Sequence, residues 1–109
     1  IGRGGFILAR HMPGAIHIRL VAPLDYRVQA IVKYDNLSED AAVKKLKEID
    51  AERARFLKSH HNCDIGDTSH FDIVWNVANL RVPEIVNTTA ELVRLRLQHL
   101  RETGAIHAR

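Results

Sequence analysis

The chain has 109 residues, 46% hydrophobic and 27% charged, with three prolines, six glycines and one cysteine, Cys63. These values fit one small globular domain or part of a larger one, and exclude disordered, collagen-like and disulfide-stapled chains. No apolar run approaches the roughly 20 residues of a membrane helix, so no membrane partner is expected. Sixteen basic against 13 acidic residues give a formal net charge of +3, and eleven of the bases are arginine. Arginine forks match phosphate geometry, so this excess suits an anionic or phosphorylated ligand as well as a mildly basic solvated surface. The lone thiol and the lack of a signal-peptide pattern fit a cytoplasmic location.

The chain opens at Ile1 and enters Gly2-Arg3-Gly4-Gly5 at once. That reads as the end of a strand followed by a tight turn, and the expectation is a piece whose upstream half is missing. Residues 6–9 read as a short helix or coil, and His11-Met12-Pro13-Gly14 as a second turn. Residues 15–22, AIHIRLVA, read as a strand buried on both faces over its last half. Pro23 starts a helix near residues 24–34, with Leu24, Val28, Ile31 and Val32 on one side. Asp35-Asn36 ends it.

Ser38 is a helix cap, with Glu39 and Asp40 in the first turn where the helix dipole favours them. The helix it opens is expected to reach about Lys58, with Val43, Leu46, Ile49, Phe56 and Leu57 as its apolar stripe. Residues 59–70, SHHNCDIGDTSH, read as a polar loop. Residues 71–77 form a second strand. Pro83 and Glu84 open a last helix with Ile85, Val86, Leu92, Val93, Leu97 and Leu100 on a broad apolar face. The tail from Thr103 reads as frayed. The order strand, helix, helix, strand, helix permits a parallel strand pair with a helical crossover.

Arg53 follows Leu46 by seven and Ile49 by four, and precedes Phe56 by three. It therefore sits on the apolar stripe, whereas Arg55 lies on roughly the opposite face. A guanidinium there snorkels, pairs with a carboxylate such as Asp50, or points into a ligand cleft. Arg27, in the first turn after the first strand, emerges at the strand's carboxyl edge, where open α/β sheets bind ligands. Arg3 sits on a comparable turn. His60, His61, Cys63, Asp64, Asp67 and His70 lack the thiol pairs of a structural zinc site and read as a solvated loop, so no metal ligands are assigned. Cys63 reads as a buried or idle thiol. No GxSxG elbow is present. The phosphate loop GxxxxGK[ST] and the GxGxxG turn are also missing from these 109 residues.

Four segments together resemble the C-terminal half of the cytidylate kinase-like family. They are Gly2-Arg3-Gly4-Gly5; Val21-Ala22-Pro23-Leu24-Asp25-Tyr26-Arg27; Leu37-Ser38-Glu39 with Asp50-Ala51-Glu52-Arg53-Ala54-Arg55; and Phe71-Asp72-Ile73-Val74-Trp75-Asn76-Val77. Their order and spacing agree over about residues 1–95. The resemblance implies an α/β fold: part of a three-layer P-loop kinase-like fold with parallel strands and a helical lid at about residues 38–70. It implies phosphoryl transfer from ATP to a nucleoside monophosphate, with Mg2+, in the intact protein. Arg53 and Arg55 would be catalytic lid residues over the transferring phosphoryl group. Arg3 would hold the acceptor phosphate, and Arg27 would flank the donor nucleotide. Gly4 stands where cytidylate kinases carry Asp, which leaves the nucleobase open.

The chain alone is expected to be inactive and to hold neither ATP nor Mg2+, because the N-terminal P-loop half is absent from it. Its expected partners are a nucleotide substrate and either that missing half or a second copy, met at an open sheet edge. A degenerate kinase-like module for binding or assembly is the alternative. Nucleic acid is not an expected partner, because the chain lacks aromatic interleaving and any reading motif.

Overall fold

The computed structural model describes residues 14–104. The expected turn at Gly2 to Gly5 with Arg3, the segment 6–9, most of the turn at His11 to Gly14, and the tail beyond Gly104 lie outside the described residues. Strand β1 is Ile18–Val21, helix α1 Leu24–Asp35, helix α2 Glu39–His61, strand β2 Ile73–Asn76 and helix α3 Val82–Glu102, with a 3-10 turn at Thr68–His70. The two strands pair in parallel, in the register Ile18 to Ile73 through Val21 to Asn76. Beyond the ladder, Asp72 N–H donates to the His17 carbonyl at 2.8 Å and Val77 N–H to the Val21 carbonyl at 2.9 Å. Parallel strands need a crossover, and α1 and α2 supply it. The architecture is that of a partial α/β P-loop kinase-like fold.

Local chemistry sets the element ends. Pro23, at φ −57°, stands before α1, and Asp25 lies in the first turn. Asn36 adopts the left-handed conformation, φ 54°, and stops the helix. The Ser38 hydroxyl accepts the Ala41 N–H at 3.2 Å and caps α2. At the other end Asn62 turns left-handed, φ 48°. Asn62 N–H then reaches the Lys58 carbonyl at 3.1 Å and Cys63 N–H the Leu57 carbonyl at 3.0 Å. That pair of bonds is a Schellman ending, and it carries α2 past Lys58 to His61. The polar stretch is therefore helical at Ser59, His60 and His61, and turns again at Thr68–His70. Pro83 lies in the first turn of α3, where Arg81 N–H donates to Glu84 Oε1 at 2.8 Å.

The core lies between α1 and α2. Val28, Ala42 and Leu46 are buried there, with Ile31, Val32 and Val43 packed around them. Ala42 is 0% exposed, so a small side chain lets the two helices approach. Leu57 and Cys63 are buried at the far end of α2.

The strand burial differs from expectation. Leu20 is 63% exposed, so β1 is not covered on both faces among the described residues. Helix α3 buries no side chain completely, and Val82, Val86, Val93, Leu95 and Leu97 stand exposed. Its C-terminal half is tied to the chain before β1. Arg96 Nη1 donates to the Ala15 carbonyl at 3.1 Å. Gly14, at φ 77°, backs onto Leu100, whose Cδ1 would lie 2.5 Å from any Cβ there. No described helix is long and apolar enough to cross a membrane.

Leu46→Ala empties part of the α1–α2 contact. Urea unfolding followed by circular dichroism is expected to show a loss of about 2–5 kcal/mol relative to wild type. An unchanged midpoint would show that the helices do not hold each other through Leu46.

Candidate functional site

A cleft of about 1010 Å3 lies between β1 and the α1–α2 pair, and its lining includes Arg19, Tyr26, Arg27, Asp50, Arg53 and Leu46. Each polar group arrives by a different local rule. Arg27 is in the first turn of α1, just past the carboxyl end of β1. Asp50 and Arg53 are one turn apart on α2, so both reach the same side. Arg19 comes from the middle of β1.

Arg27 and Asp50 meet across the helix pair. Arg27 Nη1 donates to Asp50 Oδ2 at 2.9 Å, and Nη2 to Oδ1 at 2.7 Å. This fork-to-carboxylate geometry is the strong form of the interaction. The two bonds from Arg27 hold the Asp50 carboxyl below the usual carboxylate range; partial burial opposes this, and the charges of Arg27 and Arg53 assist it. The same bonds raise the Arg27 guanidinium above its ordinary value. The side chains are 32% and 41% exposed, so solvent screens the pair, and it contributes about 0.2–1 kcal/mol.

Arg53 lines the cleft, and among the described residues no carboxylate bonds to it. The carboxylate three residues before it, the partner its own helix offers, is taken by Arg27. Arg55 lies outside the cleft lining, on an exposed face, where its carbonyl accepts the Ser59 hydroxyl at 2.7 Å. Arg3 lies outside the described residues. The structure thus brings Arg27 and Arg53 together and separates Arg55 from them.

Two groups of the cleft stand outside the sequence-based candidates. Asp50 shows in the sequence only as a neighbour of Arg53, because a partner on another helix leaves no local signal. Arg19 had a signal: it is the one charge inside the apolar run of residues 15–22. Its guanidinium donates to the Ile65 carbonyl and lies 5.8 Å from the Phe71 ring centroid.

The His-rich segment forms other contacts. His60 stacks on Phe56 with ring centroids 4.6 Å apart, and His70 Nε2 lies 3.4 Å from Asp67 Oδ2. Among the described residues no three His, Cys, Asp or Glu side chains come together as a metal-binding group. Both Asp50 oxygens already accept from Arg27. These residues fit phosphate oxygens and do not fit a magnesium ion.

The family model described as the cytidylate kinase-like family matches residues 1–79. The chain belongs to that family. The match includes Arg27, Asp50 and Arg53 and ends before α3. Among curated relatives, a cytidylate kinase of Sulfolobus acidocaldarius is 39% identical over 84 residues, covering 76% of this chain and 44% of that protein. A cytidylate kinase of Methanocaldococcus jannaschii is 31% identical over 72 residues, covering 66% of this chain and 40% of that protein. A uronate isomerase of Corynebacterium glutamicum is 28% identical over 91 residues, which are 84% of this chain and 18% of that protein. The chain spans less than half the length of each of these curated relatives. No solved structure is a significant match.

The Arg27–Asp50 pair makes stability depend on acid in a defined direction. The folded carboxyl titrates below its unfolded value near 3.8. Its contribution is complete above that value and fades as pH falls through the lower folded one. Between about pH 5 and pH 3, wild type is expected to lose about 0.2–1 kcal/mol more stability than Asp50→Asn. Equal losses in thermal melts of the two proteins would show that the pair stabilises nothing.

Proposed function

We propose that this cytidylate kinase-like chain supplies the arginine-bearing side of a phosphoryl-transfer site. In the assembled protein a phosphoryl group passes from ATP to a nucleoside monophosphate. The supporting observation is Arg53: an arginine that lines the cleft with no carboxylate hydrogen-bonded to it among the described residues, inside the family match and beside the Arg27 fork. Transferring phosphoryl groups spread charge over their oxygens, and fixed guanidinium groups stabilise that charge. ATP, when bound, provides the group to be moved. Arg53 orients and neutralises it, and Arg27 flanks the donor phosphates. Arg55 reaches them only if α2 moves as a lid, and Arg3 contacts the acceptor phosphate. These 109 residues contain no GxxxxGK[ST] loop; a loop of that kind would have to hold the ATP phosphates, and magnesium bound with them would neutralise their charge. The protein works in the cytoplasm.

The test is a coupled assay on the full-length protein with ATP and a panel of nucleoside monophosphates. Arg53→Ala is expected to lower the transfer rate ten-fold or more, at about 1.4 kcal/mol per decade. The 109-residue chain assayed alone is expected to give no turnover. An unchanged rate in Arg53→Ala, with a lower melting temperature, would make Arg53 a structural residue.

A second reading, a binding or assembly module without catalysis, is favoured by one observation. Apolar side chains stand exposed on both β1 and α3, Leu20 at 63% and Val82 at 71% among them. Under either reading the edge of β1 that has no partner strand among the described residues is a template for pairing with another segment of the protein or with a second copy. Sedimentation of the purified chain at micromolar concentration is expected to show a species above 12.4 kDa. A sharp monomer would mean that the edge is satisfied within the chain.

A further inference from the structure

We propose that Asp50 is a positioning residue: it holds the Arg27 fork where a polyphosphate would otherwise sit, and gives it up when one enters the cleft. The inference rests on the phosphate reading of the cleft given above. The pair is bidentate, with contacts of 2.9 and 2.7 Å. Two oxygens of a phosphate group accept the same two N–H groups, so Asp50 and a phosphate compete for one fork. The two side chains are 32% and 41% exposed and line the cleft, so a dissolved anion reaches them.

Arg53 makes the exchange favourable. It follows Asp50 by one helical turn, lines the same cleft and has no bonded carboxylate among the described residues. An incoming polyphosphate therefore gains Arg53 directly and Arg27 by exchange. With Asp50 in place, Arg27 and Arg53 leave one net positive charge at this end of the cleft. Asp50 keeps the fork extended and aimed while the site is empty, and it lowers affinity by competing. A purely structural tie behaves in the opposite way. Its loss would disorder the Arg27 fork and weaken anion binding.

The experiment is calorimetric titration of tripolyphosphate into the full-length protein, with no nucleotide present. Asp50→Asn is expected to bind about five-fold more tightly than wild type, the full effect of an exposed ion pair. Asp50→Glu, which restores the charge, is expected to return affinity toward wild type. In an Arg27→Ala background the gain from Asp50→Asn is expected to vanish. Equal or weaker binding by a folded Asp50→Asn overturns the proposal.

Should Asp50→Asn melt early, wild type alone decides by nuclear magnetic resonance. The Asp50 carboxyl carbon and the Arg27 Nε–Hε signal are expected to move together during the titration. A carboxyl signal unmoved at saturation overturns the exchange. Binding lost in Arg53→Ala but unaltered in Asp50→Asn removes the role of Asp50 and leaves the phosphate site standing. No binding in any variant overturns both. An intact exchange in a protein that transfers no phosphoryl group confirms the exchange and overturns only the catalytic reading.

Discussion

The parallel pairing of β1 with β2 constrains the layout of the described residues. A hairpin cannot join parallel strands, so the sequence between Val21 and Ile73 must leave the sheet and return. It does so as two helices, and those helices bury each other before they bury the sheet. Val28 on α1 meets Ala42 and Leu46 on α2. The candidate cleft is the space this arrangement leaves between the helix pair and β1. Leu46 belongs to both, as a core residue and as part of the cleft lining. The spacing of Arg27 and Asp50 is therefore a consequence of hydrophobic packing, and any change that shifts α1 on α2 also moves the charged groups.

Polar ties stand beside that apolar contact. Arg27 joins Asp50, while Lys45 Nζ meets Asp35 Oδ2 at 2.6 Å and Gln29 bonds Glu39. The Arg27–Asp50 tie is half-buried and the other two are exposed, and each contributes little alone. Together they fix which residues of α1 and α2 lie opposite each other, which apolar packing does less strictly. Arg53 is the exception to this pairing. It stands exposed on the stripe side of α2, lines the cleft, and donates no hydrogen bond to a carboxylate partner of its own among the described residues.

Caps and breakers made most of the fold legible in the sequence. Pro23, Asn36, Ser38 and Pro83 each act locally, so their effects could be placed without knowing the tertiary structure. The end of α2 was hidden because its last turn is polar. Ser59 bonds back to the Arg55 carbonyl and His60 stacks on Phe56, so composition suggested a loop where the backbone stays helical. The burial of β1 departs from expectation for a different reason. A run rich in Ile, Leu and Val shows what a strand could bury, and neighbours decide what it does bury. In the cleft, Arg27 and Arg53 were visible by position, while the Arg27–Asp50 pair joins residues on two helices and has no local trace.

Helix α3 shows the same gap between apolar supply and burial. Counting 100° per residue, its apolar side spans two flanks. Ile85, Thr89, Leu92, Arg96 and Leu100 form one, and all are half-buried. Val86, Ala90, Val93 and Leu97 form the other, at i, i+4, i+7 and i+11, and all are exposed. Arg96 explains how the first flank is anchored without a buried side chain, since its guanidinium reaches the Ala15 carbonyl just before β1. The second flank has the spacing of a packing surface and no contact that uses it among the described residues. Leu20 lies beside the start of this helix, lining a second cavity of about 590 Å3 with Val82 and Ile85. Among the described residues the parallel sheet has two strands, which offer too little area to cover both, because such sheets are stable when helices close both faces. The exposed side of α3 and the exposed side of β1 therefore have one physical cause: more apolar surface than the described strands and helices enclose.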